Sequence, residues 1–379
     1  MAQRALDRRK SDWRSLVSHV DVVLLVSTVV VAGVGVLMVY SATKAKLASS
    51  GGDPLFDLKR QAIYAVIGVV AMVVVTLVDY HRFEELGAVA YGGMVLALLG
   101  VLSPIGSRAR GSQRWFQLGS FQLQPSSFAS LVLIVTLGAY AHRHQGALDL
   151  HGLGVLLALG GVLILLVYRQ PDLGTAIIMS VVLLAMLVAA GARGRHLAIL
   201  GLVAAVGMVA IVNLGVLHKY QGDRLSCFIK PAAQTQGACY NVGLSKIAIG
   251  SGSLTGKGLF QGSVTNAALV PEQQTDFIFT AVGEQLGFLG SASVLGLFAL
   301  ILWRILRNAQ LARDRLGRLL CVGVLGLIAF SVFQNAGMTM GIMPITGIPL
   351  PFMSYGGSAI IAFFMAVGIV LNVGLRRYR

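Results

Sequence analysis

The sequence predicts an all-α integral membrane protein of about ten transmembrane helices, with one long loop between the seventh and the eighth. Three observations predict it. Mean hydropathy is +0.79. Only 12% of residues are charged, where a soluble domain carries about 25%. Apolar runs of about 17–25 residues, the length that crosses a bilayer, recur along the chain.

In chain order, residues 1–19 are a basic tail carrying Arg4, Arg8, Arg9, Lys10 and Arg14, and residues 20–375 are the membrane domain. The first run, Val20–Tyr40, is too long for a signal-peptide core and has no convincing cleavage site after it, so it stays as an anchor. Further spans are expected near Gln61–Val78, Leu86–Ser103, Ser126–Ala141, Leu150–Tyr168, Leu173–Ala190 and Leu197–Leu217. After the long loop, residues 218–275, come Phe277–Trp303, Leu319–Met340 and Ser358–Leu375, then a terminus at residues 376–379. An even number of spans puts both termini on one side. Arg193, Arg195, the stretch Arg304–Arg318, Arg376, Arg377 and Arg379 fall on that side too, which collects 17 of the 30 Lys and Arg residues. Positive charge marks the cytoplasm.

The formal charge of +15 would suggest nucleic acid in a soluble protein. Here the positive-inside bias and anionic lipids explain much of it, and no aromatic-interleaved basic module is present. The outward side still carries Lys44, Lys46, Lys59, Arg60, Arg108, Arg110, Arg114, Lys219, Arg224, Lys230, Lys246 and Lys257. Some of these snorkel to headgroups. A cluster of outward cations also suits an anionic, lipid-borne substrate such as a diphosphate.

Polar groups at membrane depth are the candidates for chemistry. Pro271-Glu-Gln-Gln-Thr-Asp-Phe-Ile-Phe279 closes the long loop and sets Asp276 at the mouth of an apolar helix. Two readings are open: a functional carboxylate, or Thr275 and Asp276 as caps for that helix. Proline and polar groups gather in three more outward segments: Gln113–Ser126, Gln170-Pro-Asp-Leu-Gly-Thr175 and Pro344–Ser358. One such segment reads as a tight turn, whereas several on one face argue for a shared cavity opening outward. The glycine-rich stretch Ile249–Leu259 lacks the spacing of a phosphate loop and the Ser or Thr after its lysine, so no nucleotide is expected. It reads instead as flexible backbone near a polar headgroup. No His/Cys cluster has ligand spacing.

The stretch Gly341-Ile-Met-Pro-Ile-Thr-Gly-Ile-Pro-Leu-Pro-Phe-Met-Ser-Tyr-Gly-Gly-Ser-Ala359, with Asn335 before it, resembles the signature of the RodA/FtsW/SpoVE (SEDS) family. So does Pro271-Glu-x-x-Thr-Asp-Phe-Ile-Phe followed by Glu284 and Gly287. Arg114-Trp115, Gln124-Pro-Ser126 and Gln170–Thr175 fall in the family's order. Asp79-Tyr80 and the leucine of Gln170–Thr175 look more like the elongation branch, RodA, than the division branch, FtsW.

The resemblance implies a peptidoglycan glycosyltransferase that polymerises lipid II into glycan strands at the outer face of the cytoplasmic membrane, beside a class B penicillin-binding protein. It implies Asp276 as the catalytic aspartate. As general base, Asp276 would take the proton of an attacking sugar hydroxyl, and a single displacement would invert the anomeric carbon. Charge compensation for the leaving diphosphate would come from a divalent cation, Mg or Mn, or from Arg and Lys. Arg114, Arg224 and Lys257 are the candidate diphosphate contacts. Glu272 stands one helical turn before Asp276 and could share a cation with it. Glu284 follows two turns later, about 80° around a regular helix; it could share the cation, raise the pKa of Asp276, or hydrogen-bond a neighbouring helix. Asp172 could pair with a cation or cap its own helix. In one place the chain departs from the family, whose Gln-Pro-Ser-Glu-x-x-Lys has Ser127 and Ser130 here in place of the acid and the base. Losing both halves of an ion pair together strands no charge. A lipid flippase or a non-catalytic scaffold for the penicillin-binding protein are the alternatives. A flippase should continue its polar residues across the bilayer, and the cytoplasmic halves of these helices are nearly all apolar.

Cys227 and Cys239 lie in the long loop, on the oxidising side, and are expected to form a disulfide, whereas Cys321 reads as a small apolar helix residue. The bridge predicts that thiol labelling reaches neither loop cysteine before reduction and both after it; equal labelling without reductant removes it.

Overall fold

The computed structural model describes residues 20–104, 106–109, 112–119, 121–144, 149–213, 222, 224, 228 and 238–377. The basic tail, Cys227, Arg110, Lys219, Lys230 and Arg379 lie outside the described residues. The helices are α1 (Val22–Ser49), α2 (Phe56–Leu77), α3 (Tyr80–Leu102), α4 (Pro125–Arg143), α5 (Leu150–Arg169), α6 (Leu173–Ala189) and α7 (Gly194–Asn213). They continue with α8 (Ala238–Ser251), α9 (Ser263–Asn266), α10 (Ile278–Gln310), α11 (Arg315–Met340) and α12 (Gly357–Arg376). Each predicted span falls on one of these. Among the described residues, eight helices (α1–α5 and α10–α12) are long and apolar enough to cross a membrane. The sixth and seventh spans fall on shorter apolar stretches, Leu173–Ala189 and Gly194–Val203.

Aspartates start the helices. Asp21, Asp79, Asp149, Asp172 and Asp314 each stand just before a helix and accept from one of its first N–H groups, at 3.0, 3.0, 2.8, 3.3 and 2.7 Å. Such a cap stabilises a helix by about 1 kcal/mol. The apolar faces then assemble into one core, in which α12 is buried along almost its whole length and packs chiefly on α2. Outward-facing valines and leucines, among them Val66, Val89, Leu96 and Leu202, remain exposed on the flanks, as lipid contact requires.

Polar ties hold the two ends of the bundle differently. At one end, Arg304 Nε lies 3.0 and 2.9 Å from the two Asp21 oxygens, and Tyr80 donates to Asp314 at 3.0 Å. His81 sits there between Asp79 and Asp314, at 2.9 and 2.8 Å. Burial works to raise the Asp79 carboxyl, but the bonds from His81 and the Arg376 guanidinium hold it below the usual carboxylate range. At the other end lie the irregular segments that carry the site.

Three features depart from the sequence expectation. The segment before α4 is a three-stranded antiparallel meander, β1 (Ser107–Ala109), β2 (Ser112–Leu118) and β3 (Phe121–Leu123). Phe116 pairs with Leu123 and Leu118 with Phe121, so the two copies of Phe-Gln-Leu lie against each other as a hairpin. Secondly, the long loop contains α8 and α9, and α8 packs on α10 and α11.

The third departure is in α10, which is not regular: at Gly287, with φ 64° and ψ −161°, the helix breaks. A break at membrane depth leaves carbonyls and N–H groups that water cannot reach. The glycine-rich stretch takes them up. Lys257 and Gly258 donate to the carbonyls of Glu284 and Gln285 at 3.0 and 3.1 Å, while Phe288 and Leu289 donate to Ser253 and Leu254 at 2.9 and 3.0 Å. The stretch expected to be flexible is thus docked backbone to backbone. A methyl group on Gly287 would lie 2.3 Å from the Gly256 nitrogen.

Gly287→Ala is therefore expected to lower the melting temperature of the purified protein, because that φ/ψ pair is essentially open to glycine alone and costs a side chain about 1–3 kcal/mol before any clash. Gly296→Ala, in the same helix with open space around it, should leave the melt unchanged or raise it, glycine being worse than alanine there by about 0.5–1 kcal/mol.

Candidate active site

Asp276 lies in a turn that precedes α10, rather than in the helix. The N–H groups of Thr275, Asp276 and Phe277 all approach the Glu272 carbonyl, at 3.2, 3.2 and 3.5 Å, and Glu272 itself has φ 54°. Positive φ at a non-glycine residue is strained and persists where the surroundings impose it. Here they do. Tyr355 N–H donates to Gln274 at 2.8 Å, and Asn335 Nδ2 donates to the Asp276 carbonyl at 2.8 Å. The position that caps α10 is Phe277, which has no side-chain oxygen to offer.

Facing this turn is the irregular segment 341–356, between α11 and α12. It contains prolines and has no ladder of its own, so its polar groups are met one by one. Gln334 donates to the Pro344 carbonyl at 2.7 Å, Asn335 to Ile348 at 2.8 Å, Gln61 to Ser354 at 3.1 Å, and Leu350 N–H to the Ser354 hydroxyl at 2.8 Å. At Gly35 the α1 backbone meets it so closely that a methyl group would fall 2.5 Å from the Met353 Cα.

The segment and the turn meet at Gly347, φ +73°. A methyl group there would lie 3.2 Å from Asp276 Oδ2 and 3.4 Å from Arg224 Nη1. Arg224 and Asp276, two of the residues singled out in the sequence, thus converge on one bare glycine. Both are half-buried.

The other candidates are elsewhere engaged. Arg114 Nε donates to the Gln170 carbonyl at 3.0 Å, its Nη2 reaches the Pro171 carbonyl, and Nη1 stands 3.5 Å from Asp172 Oδ1. Asp172 caps α6 and also accepts from Ser126 and Gln124, at 3.1 and 3.2 Å. It both pairs and caps. Glu284 is fully buried and points into the long loop, where it accepts from Val264 N, Thr265 N and Thr265 Oγ1 at 2.8, 3.0 and 2.7 Å. Lys257 is 3.5 Å from it and 2.7 Å from Ser263 Oγ. Cys239 is buried at the start of α8. Ser130 is buried in α4 and Ser127 half-buried. Among the described residues no group of three or more His, Cys, Asp or Glu side chains gathers as for a metal ion. Asn335, Gln334 and Gln61 escaped the sequence reading as site residues; an amide inside an otherwise apolar run was the signal available.

A bundle of apolar helices closed round an irregular polar segment, with an acid and an arginine meeting on it at one end, defines a polytopic membrane protein with a single-ended site. The model of the family described as cell cycle protein, covering FtsW, RodA and SpoVE, matches residues 22–379. The chain belongs to that family. It is 37% identical to stage V sporulation protein E of Bacillus subtilis, over 93% of this chain and 96% of that one. To the probable peptidoglycan glycosyltransferase FtsW of Trichlorobacter lovleyi it is 35% identical, over 93% and 92%. A solved structure described as "Structural coordination of polymerization and crosslinking by a peptidoglycan synthase complex" superposes with a TM-score of 0.80 at 28% identity, over 95% of this chain and 99% of that one.

The placement of Glu284 makes a prediction. Glu284→Ala removes the acceptor of two N–H groups and a hydroxyl, at roughly 1–3 kcal/mol for each buried group left unpaired. Thermal melts of the purified variant should drop sharply, with residual activity per folded molecule largely kept. Full loss of activity with an unaltered melt would instead make Glu284 part of the chemistry.

Proposed function

We propose that this protein is an inverting peptidoglycan glycosyltransferase that polymerises lipid II, with Asp276 as general base. The observation that carries the reading is the convergence of Asp276 and Arg224 on Gly347. The names of the relatives support the reaction class. In the reaction a sugar hydroxyl attacks the anomeric carbon of a lipid-linked sugar; its proton passes to the Asp276 carboxylate, and the bond to the diphosphate breaks with both electrons leaving on oxygen. Arg224 is placed to meet negative charge at the same point. Arg114 and Lys257 are committed to Asp172 and Glu284, so they would serve the diphosphate only by leaving those partners.

Mg or Mn would supply further charge compensation. Mg usually binds through one or two carboxylates together with substrate phosphates, and Asp276 with Glu272, both from one turn, match that donor set. The site stands at the end of the bundle opposite Arg304, Arg315 and Arg376, and the charge rule supports an outward address for it. A class B penicillin-binding protein is the proposed partner, supported by the likeness to a structure described as coordinating polymerization and crosslinking. The proposed role is elongation, on Asp79-Tyr80 and the leucine of Gln170–Thr175; division is the second reading, favoured by the identity to SpoVE and FtsW. Serines at positions 127 and 130 change the support of the cavity without removing the base.

Labelled lipid II incubated with the purified protein, alone and with its penicillin-binding protein, tests the reading. Wild type should form long strands, and a chelator should suppress them if a cation takes part. Asp276→Asn should lose at least about 100-fold, the lower range for a general base. Equal polymerisation by both proteins would sink the base, and no product from wild type even with the partner would sink the enzyme.

A further inference from the structure

We infer that Asn335 is a positioning residue for this reaction, its side-chain amide holding the Asp276 turn and the segment 341–356 in the one geometry that sets the carboxylate against Gly347. The inference rests on the reading of Asp276 as the base.

Asn335 lies on α11 and is fully buried. Its NH₂ group carries two hydrogens, and each has its own acceptor: the carbonyl of Asp276 at 2.8 Å and that of Ile348 at 2.8 Å. One acceptor belongs to the residue that bears the carboxylate. The other belongs to the residue after Gly347. A single planar group therefore spans the two backbone points that flank the Asp276–Gly347 contact, and neither point lies in a helix that would otherwise fix it. The orientation of the amide follows from chemistry, because the reversed one would aim an oxygen at two carbonyl oxygens. Oδ1 is buried without a hydrogen-bond partner among the described residues. An apolar residue would avoid that loss but would take the donor away from both the Asp276 and the Ile348 carbonyl. What it adds is the fixed separation of two irregular segments. Its neighbour Gln334 ties the Pro344 carbonyl of the same segment at 2.7 Å, so α11 grips the segment at both ends of the stretch that contains Gly347.

The amide touches no reacting atom, so its effect should appear in the chemical step. Steady-state polymerisation would be compared for wild type, Asn335→Ala, Asn335→Asp, which keeps the size but turns the donor into an acceptor, and Ser331→Ala. Ser331 is buried on the same helix and bonds only to Leu327 within it. A misplacement of about 1 Å can cost about 100-fold, and kcat of both Asn335 variants should fall by about that much. KM should stay within about twofold, since the lost interaction is one of positioning. Ser331→Ala should match wild type throughout.

Wild-type kcat in Asn335→Ala overturns the inference. So does a fall in kcat matched by an equal rise in KM, and so does failure of both Asn335 variants to fold, which would make the amide a requirement of the fold. Asp276→Asn separates the two readings. If it is as active as wild type, the base assignment fails and this inference with it; if it is inactive while Asn335→Ala is not, only this inference fails.

Discussion

The backbone of an apolar bundle has no water to fall back on, and this structure breaks that backbone twice: at Gly287 within α10 and along residues 341–356. The first is answered by other backbone, since four groups freed near Gly287 pair with residues 253–258. The second is answered by side chains, because a segment with prolines cannot build a ladder and must be met by amides from α2 and α11. Irregular chain inside a membrane protein survives only where each group has a partner. The site lies on the second of these breaks, at Gly347.

Charge is used with the same economy. Of the aspartates in the described bundle, five start helices, and three of those five also bind an arginine, Asp21 at Arg304, Asp79 at Arg376 and Asp172 at Arg114. Glu284 anchors a loop. Asp276 stands apart from this pattern: it precedes its helix by two residues, in a strained turn, with its oxygen beside a glycine that offers no side chain. A residue placed for stability alone would more economically sit at the cap. The absence of the family's acid and base at Ser127 and Ser130 fits the same economy, since the neighbouring Asp172 already meets Arg114, Ser126 and Gln124.

How much was legible in the sequence follows from what kind of information each feature needs. Spans are written in composition, and each expected run falls on a helix. The Asp276 turn and the segment with prolines stood out because polarity at membrane depth is rare, and Arg224 stood out as one of the outward cations of the long loop. The hairpin was written in the repeat of Phe-Gln-Leu around Gly119-Ser120, but a three-residue strand is too short for periodicity to weigh. The roles of Glu284, Lys257 and residues 252–258 were not legible, because they depend on which distant backbone groups the break at Gly287 leaves open. A helix assumed regular hides that need. Asn335 was visible only as part of a family signature; that its amide spans two carbonyls is a fact of three-dimensional register.

The pairing at Gly347 bears on how one site can serve both a base and an anionic leaving group. A carboxylate alone would repel a diphosphate, by roughly 4 kcal/mol for unit charges 4 Å apart at a near-surface dielectric. An arginine at the same point offsets that repulsion before substrate arrives, and its planar fork suits phosphate oxygens as well as carboxylate. The glycine between them keeps the space that a side chain would fill. In the proposed reaction the acid and the arginine then act on opposite ends of one displacement, the proton going to Asp276 and the developing negative charge facing Arg224. That division of labour needs the two groups held against one wall, and the wall is made of backbone that only its buried amide partners keep in place.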